Sequence, residues 1–500
     1  MPPETEESLD PFNTDGKACK MEWEPLRRDE NPDVSDLPPR DLSLFFFHAA
    51  QYYLGVLNHL IDEEAYLAHL KEFYENPNEK ASRSRLWYSQ HLLLLAFGKA
   101  FVSRNKNSRG QPAGHVYAVR AMGMLPIQAE MGPDPLLAVQ VLILAAVYLQ
   151  SVDLRVAAFQ YVGQASTLCV CIGMHRHMPE RIFGADTSRR HNLTFWVAHI
   201  VDSELSALMG STASIQNEQI TAKLPNVTSD SLEASTMSLH VRLSRLMSTI
   251  LTTVYGVGNE FDGSLVKDIQ TTLRTLAGIS TELHALLDTY FGGSIQKASR
   301  TVLRLLLSYH HCVVLTTRPL VMCALHRHLE RQTSSRFQTL DVRPPVSSIL
   351  QSCVDSARTI LRTLCILSEE DLLGKSDGWS LSIHGRACPG LCPDAGWRDD
   401  INTILQHMVD NGSVVAPLRQ RELQQLETIL ASITPRLSAP SATVGTSIGD
   451  GETWSAPGDA ADSGKDLFMM DSTVGPSSNV LLHWAQQLDM PDFLADMDYT

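Results

Sequence analysis

From Asp41 onward the apolar positions fall into a helical rhythm. Leu44, Phe45, Phe46 and Phe47, then Tyr52, Tyr53, Val56, Leu57 and Leu60, place their side chains on one face of a helix. Leu86 to Val102 and Leu136 to Tyr148 follow as long apolar helices. Phe159–Ile172, Leu193–Met209, Leu239–Tyr255, Leu265–Leu287 and Ser299–Leu315 continue the pattern. Gly110-Gln111-Pro112-Ala113-Gly114 and Gly132-Pro133-Asp134-Pro135 break it, as glycine and proline clusters do. No useful length of chain alternates with the period of two that a half-buried strand requires. The class this predicts is all-α: a multi-helix domain with disordered N- and C-terminal tails.

The flanks carry a different pattern. Residues 1–42 are polar, acidic and proline-bearing, with little to bury, and are expected to be disordered. Residues 43–435 form the helical domain. Residues 436–479, rich in Ser, Gly, Ala, Thr, Pro and Asp, have linker composition. Residues 480–500 regain hydrophobes among acids. Leu136–Leu149, the longest apolar stretch, is interrupted by Gln140 and falls short of the roughly 20 residues that span a bilayer. It reads as a buried helix, and no membrane partner is expected.

Charge and cysteine content narrow the function classes. The 500 residues hold 41 Lys and Arg against 56 Asp and Glu, a net charge of −15 that opposes a phosphate backbone. Arg27-Arg28, the Arg104–Arg109 loop and Arg189-Arg190-His191 are each too short for a groove-reading cluster. The nine cysteines lie mostly in apolar settings such as Leu168-Cys169-Val170-Cys171, which fits a reducing compartment and no disulfide framework. The N-terminus has neither the positive nor the apolar region of a signal peptide, so a soluble intracellular chain is expected. His384, Cys388 and Cys392 are zinc-ligand types, but three in a loop setting do not make a closed site, and no metal is assigned. His175/His177, His310/His311 and His326/His328 lack the i, i+4 spacing of a helical zinc pair. No phosphate loop, nucleophile elbow or triad is visible, so neither catalytic residues nor a cofactor are expected.

Two segments are more specific. One runs from Tyr161 through Gly173-Met174-His175-Arg176. The other runs from Arg189 through Phe195-Trp196, Asp202, Leu205-Ser206 and Gly210 to Leu224-Pro225. Together they resemble the middle homology region of fungal-specific transcription factors, the regulatory domain of zinc-cluster regulators. Ser203 stands where that family often has a basic residue, and Ser211-Thr212 replace its usual Arg-Pro. Tyr52–Leu67, Leu305–Leu320 with Arg318-Pro319, and Ile404–Gly412 extend the resemblance over most of residues 43–435. From the residues themselves, Phe195, Trp196 and Leu205 read as core, and Asp202 as a cap or pair within the bundle. Gly210 reads as a left-handed helix end, and Arg318-Pro319 as a helix stop.

The resemblance implies a nuclear transcriptional regulator of a metabolic or secondary-metabolite gene cluster. Its partners would be the transcription machinery or a coactivator, with a second copy or a zinc-cluster factor as dimer partner. Such factors carry six closely spaced cysteines, whereas only Cys19 precedes Cys169 here. DNA is therefore expected to be reached indirectly or through a further N-terminal module. The alternatives are a cofactor or corepressor acting through a related zinc-cluster factor and, further off, a helical enzyme. Gly374 to Trp397 breaks the helical pattern without a family counterpart, and a retained intron over 375–396 is one reading of it.

The tail carries the remaining candidate site. Trp484, Leu488, Phe493 and Leu494 lie among Asp489, Asp492, Asp496 and Asp498, an acidic-hydrophobic composition typical of activation segments. Acids keep such hydrophobes in water until a partner groove takes them up. The structural alternative is a tail helix docked on the chain's own bundle.

Overall fold

Pro38-Pro39 hand the chain to helix α1 (Arg40–Leu54), which has Asp41 in its first turn, where a carboxylate meets the positive end of the helix dipole. It ends at Gly55, whose φ of 59° is open to glycine without strain, and a 3-10 turn, Gly55–Leu60, follows. The helical face expected to run unbroken to Leu60 is therefore bent there. This is a computed structural model, and it describes residues 18–27, 29–103, 111–125, 134–225, 231–256, 263–333, 346–369, 396–433 and 476–487.

The order continues with α2 (Glu63–Glu75), α3 (Pro77–Arg83), α4 (Arg85–Val102), α5 (His115–Met124), α6 (Pro135–Ser151), α7 (Arg155–Cys171), α8 (Glu180–Phe183) and α9 (Ala185–Met209). Next come α10 (Leu232–Thr253), α11 (Gly263–Phe291), α12 (Arg300–Thr333), α13 (Val346–Glu369), α14 (Gly396–Asp410), α15 (Ala416–Ile433) and α16 (Ser478–Gln487). Local chemistry sets several starts. The carboxylate of Asp62 accepts from Ala65 N at 3.1 Å and that of Asp134 from Leu137 N at 3.0 Å, while Pro135 fills a first-turn position that needs no N–H. The fold is all-α: no strand occurs among the described residues, nor any helix long and apolar enough to cross a membrane.

Two apolar cores result. The first gathers Phe47, Phe73, Trp87, Leu93, Tyr148, Phe195 and Trp196 from the helices up to α9. The second gathers Leu273, Leu305, Ile360 and Ile404 from the later helices. Helix α10 serves both, giving Met237 and Val241 to the first and Leu239 and Leu243 to the second. In the first core α4 crosses α1 so closely that a Cβ at Gly98 would lie 2.0 Å from the Phe46 carbonyl oxygen. Only glycine fits that crossing.

The N-terminal segment departs in part from its expected disorder. Among its described residues, Cys19 and Met21 are buried, and the stretch to Pro39 is strapped onto the bundle. Leu26 N donates to Gly123 O at 2.7 Å, and the hydroxyls of Tyr88 and Tyr74 each donate at 2.6 Å, to Asp33 O and Pro38 O respectively. Composition gave no sign of this, because the strap is held largely through main-chain carbonyls.

Arg318-Pro319 corrects a second expectation. The pair does not stop a helix, since α12 runs through Pro319 to Thr333. Proline cannot donate to the carbonyl four residues back, that of Leu315. Tyr255, at the end of α10, supplies the missing donor: its hydroxyl reaches Leu315 O at 2.8 Å.

A polar clasp joins the turn after α6 to α15. Asp153, in the turn between α6 and α7, takes a left-handed conformation with φ 67°. It is 2% exposed and accepts from Arg419 Nη2 of α15 at 2.5 Å, with Arg155 Nε at 3.2 Å.

Candidate functional site

Helix α9 carries the most specific sequence segment. Phe195 and Trp196 are fully buried, with ring centroids 5.0 Å apart. Trp196 Nε1 donates to Lys223 O at 2.8 Å, and Asn192 Nδ2 donates to the same oxygen at 2.9 Å. One carbonyl thus fastens the chain leading to Leu224-Pro225 against α9. His199 lies one turn beyond Phe195, near-parallel to its ring, with centroids 6.2 Å apart. Burial pushes its imidazole pKa down to about 4, so it packs as a neutral ring.

Asp202 is fully buried and accepts two bonds of 2.7 Å from Ser214, one from the backbone N–H and one from the hydroxyl. Burial pushes its carboxyl up to about 6, against the pull of both Ser214 bonds. Gly210 ends α9 at φ 69°, in the left-handed region, and the chain turns back so that Ala213 and Ile215 are buried. The Ser211-Thr212 departure sits in this turn, and Asp202 holds the turn together through Ser214. Arg318 and Pro319 are not brought to this cluster. They lie on α12, with Arg318 exposed and Leu320 in the second core. Ser214, His199 and the Lys223 carbonyl are the residues that sequence reasoning missed. None of the three carried a signal in the sequence, since the turn that brings Ser214 back to Asp202 has no linear mark. What the arrangement does is fasten the turn after α9, and the chain leading to Leu224-Pro225, to the helix.

The tail site is placed only in part. Helix α16 packs on α11, and Leu481, Trp484 and Ala485 enter the second core, with Trp484 3% exposed. Ser280 Oγ and Tyr309 Oη both donate to the Pro476 carbonyl at 3.4 Å, fixing the start of the segment. Trp484 is thus turned into the chain's own bundle, not toward solvent. Leu488, Phe493 and Leu494 lie outside the described residues, as do His384, Cys388, Cys392 and nearly all of the 375–396 stretch.

A family model for the fungal specific transcription factor domain matches residues 42–302. That range holds the buried residues of the first core except Cys19 and Met21, the α9 cluster and the beginning of the second core. Among similar curated proteins, an uncharacterized transcriptional regulatory protein of Schizosaccharomyces pombe is 25% identical over 246 residues, 46% of this chain and 29% of the relative. A thiamine repressible genes regulatory protein of the same organism is 21% identical over 60% of this chain and 38% of its own length. A transcriptional activator protein of Neurospora crassa is 23% identical over 70% of this chain and 37% of its own length. The matches thus cover 29–38% of the length of these relatives. No solved structure matches.

Proposed function

The chain belongs to the fungal specific transcription factor domain family, and on that premise we propose that it is a nuclear transcriptional regulator of metabolic or secondary-metabolite genes. The observation that carries this reading is the family match over residues 42–302, which contains the α9 cluster entire. The metabolic part draws support from the relative that regulates thiamine-repressible genes. The role of the scaffold is to present surfaces to the transcription machinery or a coactivator. With net charge −15, contact with DNA runs through a dimer partner or a basic module outside this sequence.

Tethering is the test. The full chain fused to an unrelated DNA-binding domain should change transcription of a reporter carrying that domain's site, in either direction. A Trp196→Ala version should lose the effect, because it removes a core side chain. A fusion that accumulates in the nucleus, folds and leaves the reporter unchanged would overturn the proposal.

One observation favours a second reading, a corepressor acting through a related zinc-cluster factor. Trp484, the leading hydrophobe of the acidic tail, is buried in the chain's own core. Recovery of such a factor with the chain, together with repression by the tethered protein, would select this form.

A further inference from the structure

Where the two cores meet lies a cavity of about 50 Å³, floored by the end of α1 and the turn after it and walled by α6, α9, α10 and α12. It is several times the roughly 10–15 Å³ that one water needs. Leu57, Val201 and Leu307 give it a mainly apolar wall. Among the polar atoms of the lining, Gln150 Nε2 and His240 Nε2 have no hydrogen-bond partner. Both side chains are more than nine-tenths buried, at 8% and 4% exposure.

Buried polar atoms are usually hydrogen-bonded, so an unmet pair in one cavity lining calls for an occupant, whether water or a larger molecule. The His240 ring bonds the Thr301 backbone carbonyl, so Nδ1 carries the hydrogen and Nε2 presents a lone pair. Burial holds the ring neutral at physiological pH. The Gln150 amide nitrogen can only donate. At these two atoms the cavity asks for one donor and one acceptor. Glu204 and Arg304 place one carboxylate and one guanidinium on the wall, leaving no net charge to attract an ion.

We propose that this cavity binds a small, neutral, mostly apolar molecule bearing a hydroxyl, which donates to His240 Nε2 and accepts from Gln150 Nε2. The hydrocarbon part lies against Leu57, Val201 and Leu307. Because the lining comes from both cores, an occupant adds contacts across the seam. That makes occupancy a means of coupling a small molecule to the packing of one half against the other. The proposal stands independently of the transcriptional reading, since binding is measured on the chain alone.

The experiment is a titration of the full chain, labelled at Leu, Val and Ile methyl groups, with cyclohexanol and separately with cyclohexanone. Cyclohexanone accepts hydrogen bonds but donates none. Cyclohexanol should give saturable shifts centred on Leu57, Ile200, Val201 and Leu307, and bind about tenfold more tightly than the ketone. In His240→Phe the preference for the alcohol should vanish while methyl signals far from the cavity stay in place. Val201→Phe, which fills the space, should abolish saturable binding by both probes and serves if His240→Phe does not fold. Shifts that scatter over the bundle without saturating, equal affinity for the two probes, or a cavity holding ordered water only would each overturn the proposal.

Discussion

The Tyr255 hydroxyl donates at 2.8 Å to the Leu315 carbonyl, the group that Pro319 leaves without a helical donor. A residue 60 positions before Leu315 thus allows a proline to sit inside a 34-residue helix. Burial pushes the Tyr255 phenol up to about 12, so it remains a donor throughout the neutral range. Tyr255→Phe should cost about 1–2 kcal/mol, the cost of leaving a mostly buried carbonyl unmet. Pro319→Ala restores the N–H, so Tyr255→Phe should cost markedly less in that background. Chemical denaturation of the four proteins of this cycle measures the coupling; a value near zero would mean the carbonyl is served in another way.

The Asp153–Arg419 clasp makes a second prediction. Both residues are under a tenth exposed, and removing one partner strands a buried charge. Arg419→Met should destabilise by about 3 kcal/mol, at the low end for a broken buried pair because Arg155 still faces Asp153. Adding Asp153→Asn should recover most of the loss, since asparagine also accepts the left-handed backbone and carries no charge. A double variant weaker than Arg419→Met alone would show that the carboxylate has another essential partner.

These two contacts mark where the sequence stopped being legible. Helices α4 and α6 could be read because their apolar runs are long and bounded by breakers. Pro319 could not, because local geometry argues for a stop and the compensating hydroxyl lies just beyond the end of another helix. The strap before α1 was hidden for a related reason. Tyr74 and Tyr88 bond to main-chain carbonyls, which every residue possesses, so polar composition does not reveal it. At α9 the family pattern marked Asp202 and Gly210, and the spacing of Asp202 from Ser214 became meaningful only once the turn was seen. The seam cavity has no linear signature, since its lining comes from five separate stretches of chain.

Asp202 separates charge from hydrogen bonding. Asp202→Asn keeps an acceptor for the Ser214 N–H and can donate to the Ser214 hydroxyl, so at pH 7 its melting should stay close to the parent's. Asp202→Leu leaves the Ser214 donors unmet and should cost about 2–3 kcal/mol. Equal loss in the two variants would place the importance of Asp202 in its charge.

Acid should destabilise the bundle before carboxylates in general titrate. Burial lowers His91 to about 3, and His199 and His240 to about 4, from an unfolded value of 6.5. Between those limits the unfolded chain binds more protons, so each ring's contribution is present above pH 6.5 and is lost as pH falls, at about 1.4 kcal/mol per unit. Asp202 acts in the opposite sense: raised from 3.8 to about 6, it favours the folded state as pH falls through that window. Three groups outweigh one, so melting temperature should fall from pH 7 to pH 5, and more steeply in Asp202→Asn. A flat profile would show that the three rings accept protons while folded.

The tail decides between the two regulatory readings. If residues 480–500 form an activation motif, fusing them to an unrelated DNA-binding domain should switch on a reporter. Replacing Trp484, Leu488, Phe493 and Leu494 with Ala should abolish that activity, because apolar groups fill the partner groove. Replacing Asp492 and Asp496 with Asn should weaken it less, since those charges chiefly keep the hydrophobes in water and steer the encounter. In the full chain Trp484 is held in the second core, so the same motif should be quieter there than in isolation. Ser280→Ala combined with Tyr309→Phe removes both donors to the Pro476 carbonyl and should raise activity by loosening α16 from α11. A purely structural helix gives the opposite pair of results. The isolated segment is silent, and ending the chain at residue 475 lowers the melting temperature without any gain in transcription. That pair would remove the activation motif and leave the partner-acting corepressor as the reading to pursue.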